Sequence, residues 1–288
     1  MRLWLRKYSL GWSRWARAAS APTAYFIRPA IFAIIHGVVR MLALETSARV
    51  GSVALFEDDR LVAHESFAHG LQNAARLLPL IDQLCKTHHL APRDIGLVAV
   101  SIGPGSFTGL RIGVTLAKTL CYATGAKLVA VPSLQVLAAN APANARYIMP
   151  ILDARRGQVF AAVYQRADSE NTKAAIGNRQ SAIGNFLTEH LPPELSPLAD
   201  LLARAPRPLT LLGEGIAAHR DAIPADASIT ILGEDLWTPN AATVGRMALL
   251  LAQQGDFADP FKLTPVYMRK PEAQERMEAG LLKHLENS

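Results

Sequence analysis

Only two of the 288 residues are cysteine, Cys85 and Cys121, and neither has another Cys at ligand spacing. That excludes a disulfide framework and a metal site built on paired thiolates, and it predicts two small buried hydrophobes in helices. No apolar run is long enough to span a bilayer; the candidate, Ala30–Val39, is too short. The main glycine cluster is not followed by a Lys-Ser/Thr pair, so it is not a P-loop, and Ser106 is not framed as Gly-x-Ser-x-Gly. No group of metal ligands and no nucleophile beside a base stands out.

Acidic residues are absent from the first forty positions, which hold Arg2, Arg6, Lys7, Arg14, Arg17, Arg28 and Arg40 and three of the four tryptophans. Without those seven basic side chains the net charge of +6 becomes −1 for residues 41–288. The basic character therefore belongs to the extension, and the body has no bulk electrostatic drive towards RNA. A secretory signal, a transit peptide and an anchor compete for residues 1–40; the Arg-rich, acid-free composition suits the transit peptide. Met41 opens directly into an apolar strand, which favours a chain starting there, with residues 1–40 outside the fold.

Half of the residues are hydrophobic, enough for one large core or two lobes. The chain is organised around residues 98–123, VAVSIGPGSFTGLRIGVTLAKTLCYA. They predict a strand over 97–102, a glycine turn and a helix from about Thr108 to Tyr122. Such a turn either packs closely or holds phosphate on the free N–H groups of the helix start. Upstream, 41–44, 50–56 and 61–67 read as a three-stranded meander, and 69–89 as a helix kinked or broken at Pro79. Downstream, 127–131 is a further strand, joined by a parallel crossover. The first lobe, 41–142, is then three antiparallel strands extended by two parallel ones.

The second half, 143–288, begins with an echo of the first. LALETSARVGSVALFE (42–57) and PILDARRGQVFAAVYQ (150–165) share an apolar strand, an acid, a polar turn, a glycine and an alternating strand. Glu45 matches Asp153, and Gly51 matches Gly157. Residues 168–208 read as a loose polar insertion with at most one short helix, 209–212 as a strand, and 238–254 as a capped helix. Asp153 has two readings, a catalytic acid or a turn carboxylate paired with Arg155 or Arg156.

Gly103-Pro-Gly-Ser-Phe-Thr-Gly-Leu-Arg-Ile-Gly113 resembles the signature of the TsaB (YeaZ) family. Met41–Ser47 is similar to that family's first strand, and Pro265-Val-Tyr-Met-Arg269 to its C-terminal Pro-x-Tyr-Leu-Arg. The resemblance implies an α/β fold of two actin-like (ribonuclease H-like) lobes related by internal duplication, with the C-terminal segment returning to the first lobe. It also implies a cytoplasmic, non-catalytic subunit of the machinery that forms threonylcarbamoyladenosine in tRNA. The implied partners are a TsaD-type catalytic subunit and a TsaE-type ATPase, with a homodimer as the other assembly, tRNA met indirectly and ATP or ADP at the subunit interface. In the catalytic relative, two metal-binding histidines follow the next strand; here Ser133 and Leu137 fall at those places. The expected partner interface is Leu71, Ala74, Leu78 and Ile81 on one helix and Gly109, Gly113, Ala117 and Leu120 on the next. A Gly113→Leu change is then expected to block pairing with the fold intact. The competing reading is a small-molecule kinase or ATPase of the actin-like superfamily. It would use Thr46, Ser47, Gly103, Gly105, Gly213 and Gly215 around nucleotide and Asp153 as base.

Overall fold

The computed structural model describes residues 38–68, 73–166 and 187–269. The extension up to residue 37, Leu71 and the tail beyond 269 lie outside the described residues. Two five-stranded mixed sheets form the body. The first contains β1 (Arg40–Glu45), β2 (Val50–Glu57), β3 (Arg60–Ala68), β4 (Ile95–Ser101) and β5 (Lys127–Val131), in the order β3-β2-β1-β4-β5. The second contains β6 (Tyr147–Asp153), β7 (Val159–Arg166), β8 (Leu187–Ser196), β9 (Leu209–Leu212) and β10 (Ile229–Ile231), in the order β10-β9-β6-β7-β8.

Each sheet has the same plan. β1, β2 and β3 pair antiparallel, and β4 and β5 continue from β1 in parallel. β6, β7 and β8 likewise pair antiparallel, and β9 and β10 continue in parallel. The hairpin echo in the sequence therefore extends to ten strands, with β1 and β6 in equivalent central places.

Helices cover both sides of the first sheet. On one face lie α1 (Asn73–Thr87) and α2 (Phe107–Thr124), burying Leu77, Ile81, Leu84, Val114, Ala117 and Cys121 against Leu42, Leu44, Val98 and Val100. Pro79 does not end α1: the helix runs past it. Proline removes one backbone hydrogen bond, and the buried positions 77, 81, 84 and 85 on one stripe outweigh that loss. Both thiols are buried in these helices, and burial pushes the Cys121 thiol up to about 11.

The other face is covered from far along the chain. α6 (Ala241–Gln253), capped by the Asn240 side chain on the Thr243 N–H, packs Val244, Ala248 and Leu251 against Met41, Ala43, Phe56 and Val129. The chain then stays on the first sheet: the Ala258 N–H donates to Leu128 O at 2.8 Å, and the Val266 N–H to Ile102 O at 2.7 Å. In the second half, α3 (Ser133–Ala138) lies on one face of the second sheet, and α4 (Leu198–Arg204) and α5 (Gly215–Ala218) on the other. No helix among the described residues is long and apolar enough to cross a membrane.

Two expectations need correction. Val39 and Arg40 belong to the fold: the Val39 N–H donates to Asp58 Oδ1, and Arg40 opens β1. Residues 187–208 are not a loose insertion, because they form β8 and α4. β8 is polar and holds Pro192 and Pro193, which an edge strand with a single neighbour tolerates. The short edge strand β10 also went unread, since three residues carry almost no periodicity.

Candidate functional site

The two lobes meet at a cleft of about 690 Å³. Its walls come from three turns and the tail: the β1–β2 turn (Ser47, Ala48, Arg49), the glycine loop (Pro104–Phe107), the β6–β7 turn (Asp153–Arg155) and Val266–Arg269. Glu214 and the buried ring of Phe160 complete it.

The glycine loop is shaped by close packing. Gly103 has φ of +111°, and a Cβ there would stand 2.6 Å from Val266 O. At Gly105 a Cβ would lie 2.9 Å from the Ser47 Cβ and collide with Ser47 O. Three of the loop's donors are engaged inside the protein. The Gly103 N–H donates to Ser133 Oγ at 3.0 Å, the Ser106 N–H to Ser47 O at 2.7 Å, and the Gly109 N–H to the capping Ser106 Oγ at 3.2 Å. These three bonds and the two glycine contacts support the close-packing reading of the turn.

Of the six residues read as nucleotide ligands, Ser47 and Gly105 line this cleft and the other four do not. Thr46 is buried against Gly113. Gly103 lies under the tail, and Gly213 and Gly215 pack on the backbone of β6 at Ile151–Asp153. Ser47 is itself turned inwards, its N–H and hydroxyl both donating to Glu45 Oε1 at 2.6 Å. Glu45 is fully buried, and that burial raises its carboxyl above the usual range, opposed by the Ser47 bonds. Ser101 also faces this carboxyl, and Thr46 Oγ1 is buried without a hydrogen-bond partner among the described residues.

Asp153, the counterpart of Glu45, stands at the cleft edge as a turn carboxylate. Its Oδ1 accepts the Arg155 N–H at 2.9 Å and lies 3.4 Å from His219 Nε2, while Oδ2 is 3.7 Å from Arg155 Nε. The turn it holds is unusual: Arg155, Arg156 and Gly157 have φ of 65°, 54° and 72° in succession. Two consecutive arginines in the left-handed region are costly and need outside support. Arg269 supplies it, donating to the carbonyls of Ala154 and Arg155 and to Gln158 Oε1. Tyr267 packs its ring 4.6 Å from that of Phe107, which also carries the Arg111 guanidinium at 5.3 Å. The C-terminal Pro-Val-Tyr-Met-Arg motif thus ties the glycine loop to the β6–β7 turn. Its sequence marks it, and Glu214 falls inside the Gly213–Gly215 turn, whereas nothing in the sequence marks His219 as a neighbour of Asp153.

The expected helix interface is placed differently by the fold. Ile81, Gly109, Gly113 and Ala117 are buried by the chain's own core, and Leu120 is half-buried against it. The small residues on α2 let the β1–β2 turn approach: a Cβ on Gly113 would collide with Thr46 Oγ1. Gly113→Leu therefore tests folding, not pairing. Leu78 is well exposed, at 54%. Ala74 lies in α1, and Leu71 falls outside the described residues. The outward stripes are Arg76, Leu78 and Asp82 on α1 and Arg111, Thr115, Thr119 and Tyr122 on α2. The stripe was misassigned because small residues mark close approach without saying from which side.

At the two positions compared with metal-binding histidines, Ser133 and Leu137 are both fully buried in α3. Ser133 is occupied as the acceptor for Gly103, and Leu137 sits in the core of the second lobe. Among the described residues no three His, Cys, Asp or Glu side chains come together as a metal site.

Residues 71–277 match the family model described as TsaD, tRNA N6-adenosine threonylcarbamoyltransferase. The chain is 32% identical over 243 residues to the tRNA threonylcarbamoyladenosine biosynthesis protein TsaB of Bacillus subtilis (strain 168), covering 82% of this chain and 96% of that one. It is also 32% identical over 145 residues to the protein of the same name from Escherichia coli (strain K12), covering 48% of this chain and 62% of that one. The solved structure of YeaZ from Pseudomonas aeruginosa has the same fold, with a TM-score of 0.64 at 24% identity over 80% of this chain and 99% of that one.

Proposed function

The chain belongs to the TsaB family, and we propose that it is the non-catalytic subunit of the assembly that forms N6-threonylcarbamoyladenosine in tRNA. One observation carries the non-catalytic part. Ser133 and Leu137, at the places compared with histidines in the catalytic relative, are committed to structure: one accepts the Gly103 N–H and the other fills the core. Leucine offers no lone pair, so this α3 cannot hold the metal that a transferring subunit of that kind would use.

The partner in this reading is a TsaD-type subunit. It meets the outward stripes of α1 and α2, with Leu78, Thr115 and Thr119 in the contact and the half-buried Ile112 and Leu116 behind them. The face mixes Leu78 and the threonines with the charged Arg76, Asp82 and Arg111, so polar pairing accompanies the apolar contact, and the same face also serves a homodimer when the partner is missing. A TsaE-type ATPase joins the larger assembly, which works in the cytoplasm.

The deciding experiment is depletion of this chain in its own cells, followed by measurement of threonylcarbamoyladenosine in bulk tRNA. Loss of the nucleoside, with recovery from residues 38–288 and co-elution with the TsaD-type subunit, supports the reading. Unchanged modification overturns it.

A further inference from the structure

Arg49 and Arg155 occupy equivalent turns of the duplicated lobes, one on each side of the cleft. Both side chains are about three-quarters exposed, at 76% and 77%. Each is held by a single loose ion pair through Nε: Arg49 to Glu214 at 3.5 Å and Arg155 to Asp153 at 3.7 Å. Those separations exceed hydrogen-bond length, and exposed pairs of this kind contribute little, so an incoming anion can recruit either guanidinium fork.

The β6–β7 turn keeps Arg155 in a conformation that a side chain disfavours, and both Asp153 and Arg269 are spent on holding it there. Strain that is retained and supported calls for a use. Beside the rim, the stacked rings of Phe107 and Tyr267 also line the cleft. Arginines around an aromatic pair make a surface for a nucleic-acid strand, with phosphates on the guanidinium groups and bases against the rings.

We propose that this cleft binds the phosphate backbone of an RNA strand directly through Arg49 and Arg155, with Phe107 and Tyr267 as the neighbouring base platform. The inference rests on the function proposed above, which makes tRNA the RNA at hand. A free nucleotide fits less well. Its phosphates need a cradle of backbone donors, and three of the glycine loop's, at Gly103, Ser106 and Gly109, are engaged within the protein. The cations stand at the rim, where a polymer can lie across them.

The test is fluorescence anisotropy of a labelled anticodon stem-loop RNA, titrated with the full chain alone and with the chain bound to its TsaD-type partner, over a range of salt. The variant combines Arg49→Gln with Arg155→Gly. Glycine suits the left-handed turn, so this chain should melt no lower than the parent; Arg49→Gln alone is a second variant at an exposed position. The expected result is RNA binding weakened about tenfold and a log–log salt slope shallower by about one for each arginine removed. Millimolar ATP or inorganic phosphate should leave the RNA bound. Equal affinity of parent and variant overturns the inference, as does the absence of RNA binding both alone and with the partner. Displacement by ATP or phosphate overturns it too, by marking a site for free anions. If depletion abolishes the tRNA modification while the variant binds RNA normally, this inference fails and the proposed function stands. If depletion leaves the modification unchanged, the function fails whatever the RNA titration gives.

Discussion

Gly113 and Thr46 lie so close that a methyl group on the glycine would collide with the threonine Oγ1. The contact brings α2 down onto the end of β1, and Thr46 Oγ1 is buried there without a hydrogen-bond partner. Gly113→Ala should therefore lower stability by roughly 1–3 kcal/mol, as overpacking does. Thr46→Ala should cost little alone, since it removes an unpartnered hydroxyl, and should rescue much of the loss in the double variant. Urea denaturation of all four chains in a double-mutant cycle measures the coupling. Additive losses would show that the two residues do not touch.

A second test separates the outside of α1 from its inside. Leu78→Glu, on the exposed face, should leave the melting temperature nearly unchanged and reduce co-elution with the TsaD-type subunit. Ile81→Glu buries a charge in the first-lobe core and should unfold the chain. Intact co-elution of the Leu78→Glu chain would remove α1 from the interface.

Glu45 sets a pH dependence. Burial raises its folded-state carboxyl above the unfolded value, so the folded form prefers the proton. Stability is then greatest below the unfolded pKa and falls as the pH rises from there through the folded pKa, by about 1.4 kcal/mol for each unit between the two. Glu45→Gln keeps an acceptor for Ser47 and removes the titrating carboxyl. The Gln chain should show a flatter stability profile as the pH rises above 4.5 and should exceed the parent at the upper end. Parallel profiles would rule out Glu45 as the titrating group.

Arg269→Ala removes the donors that hold the β6–β7 turn. The expected loss is about 1–3 kcal/mol, concentrated locally. Hydrogen exchange at residues 153–158 should speed up, while that in β1 and β4 stays slow. Uniform acceleration would mean that the arginine supports the whole body.

Much of the first lobe was legible because its strands alternate cleanly and its helices carry buried stripes at helical spacing. The glycine loop and Asn240 cap announced their helices through specific backbone needs. β8 was not legible, because an edge strand is half-exposed and needs neither alternation nor freedom from proline. The cleft was legible only in fragments. Arg49, Asp153 and Arg269 each sit in a motif that the sequence displays, but their meeting depends on strand order and on the path of the tail. Side-chain direction was the main loss: Gly109, Gly113 and Ala117 read as a surface for a partner, whereas the chain's own first strand fills it.

The first lobe's sheet has a delayed lining. α6, which covers the face formed by Met41, Ala43 and Phe56, is the last described helix of the chain. At the usual pace of translation, roughly 5–20 residues per second, that face waits on the order of ten to forty seconds after β2 leaves the ribosome. The nascent first lobe is thus a half-covered sheet, a natural client for ribosome-bound chaperones. A chain cut before residue 241 keeps every strand of both sheets and still leaves that apolar face open to aggregation.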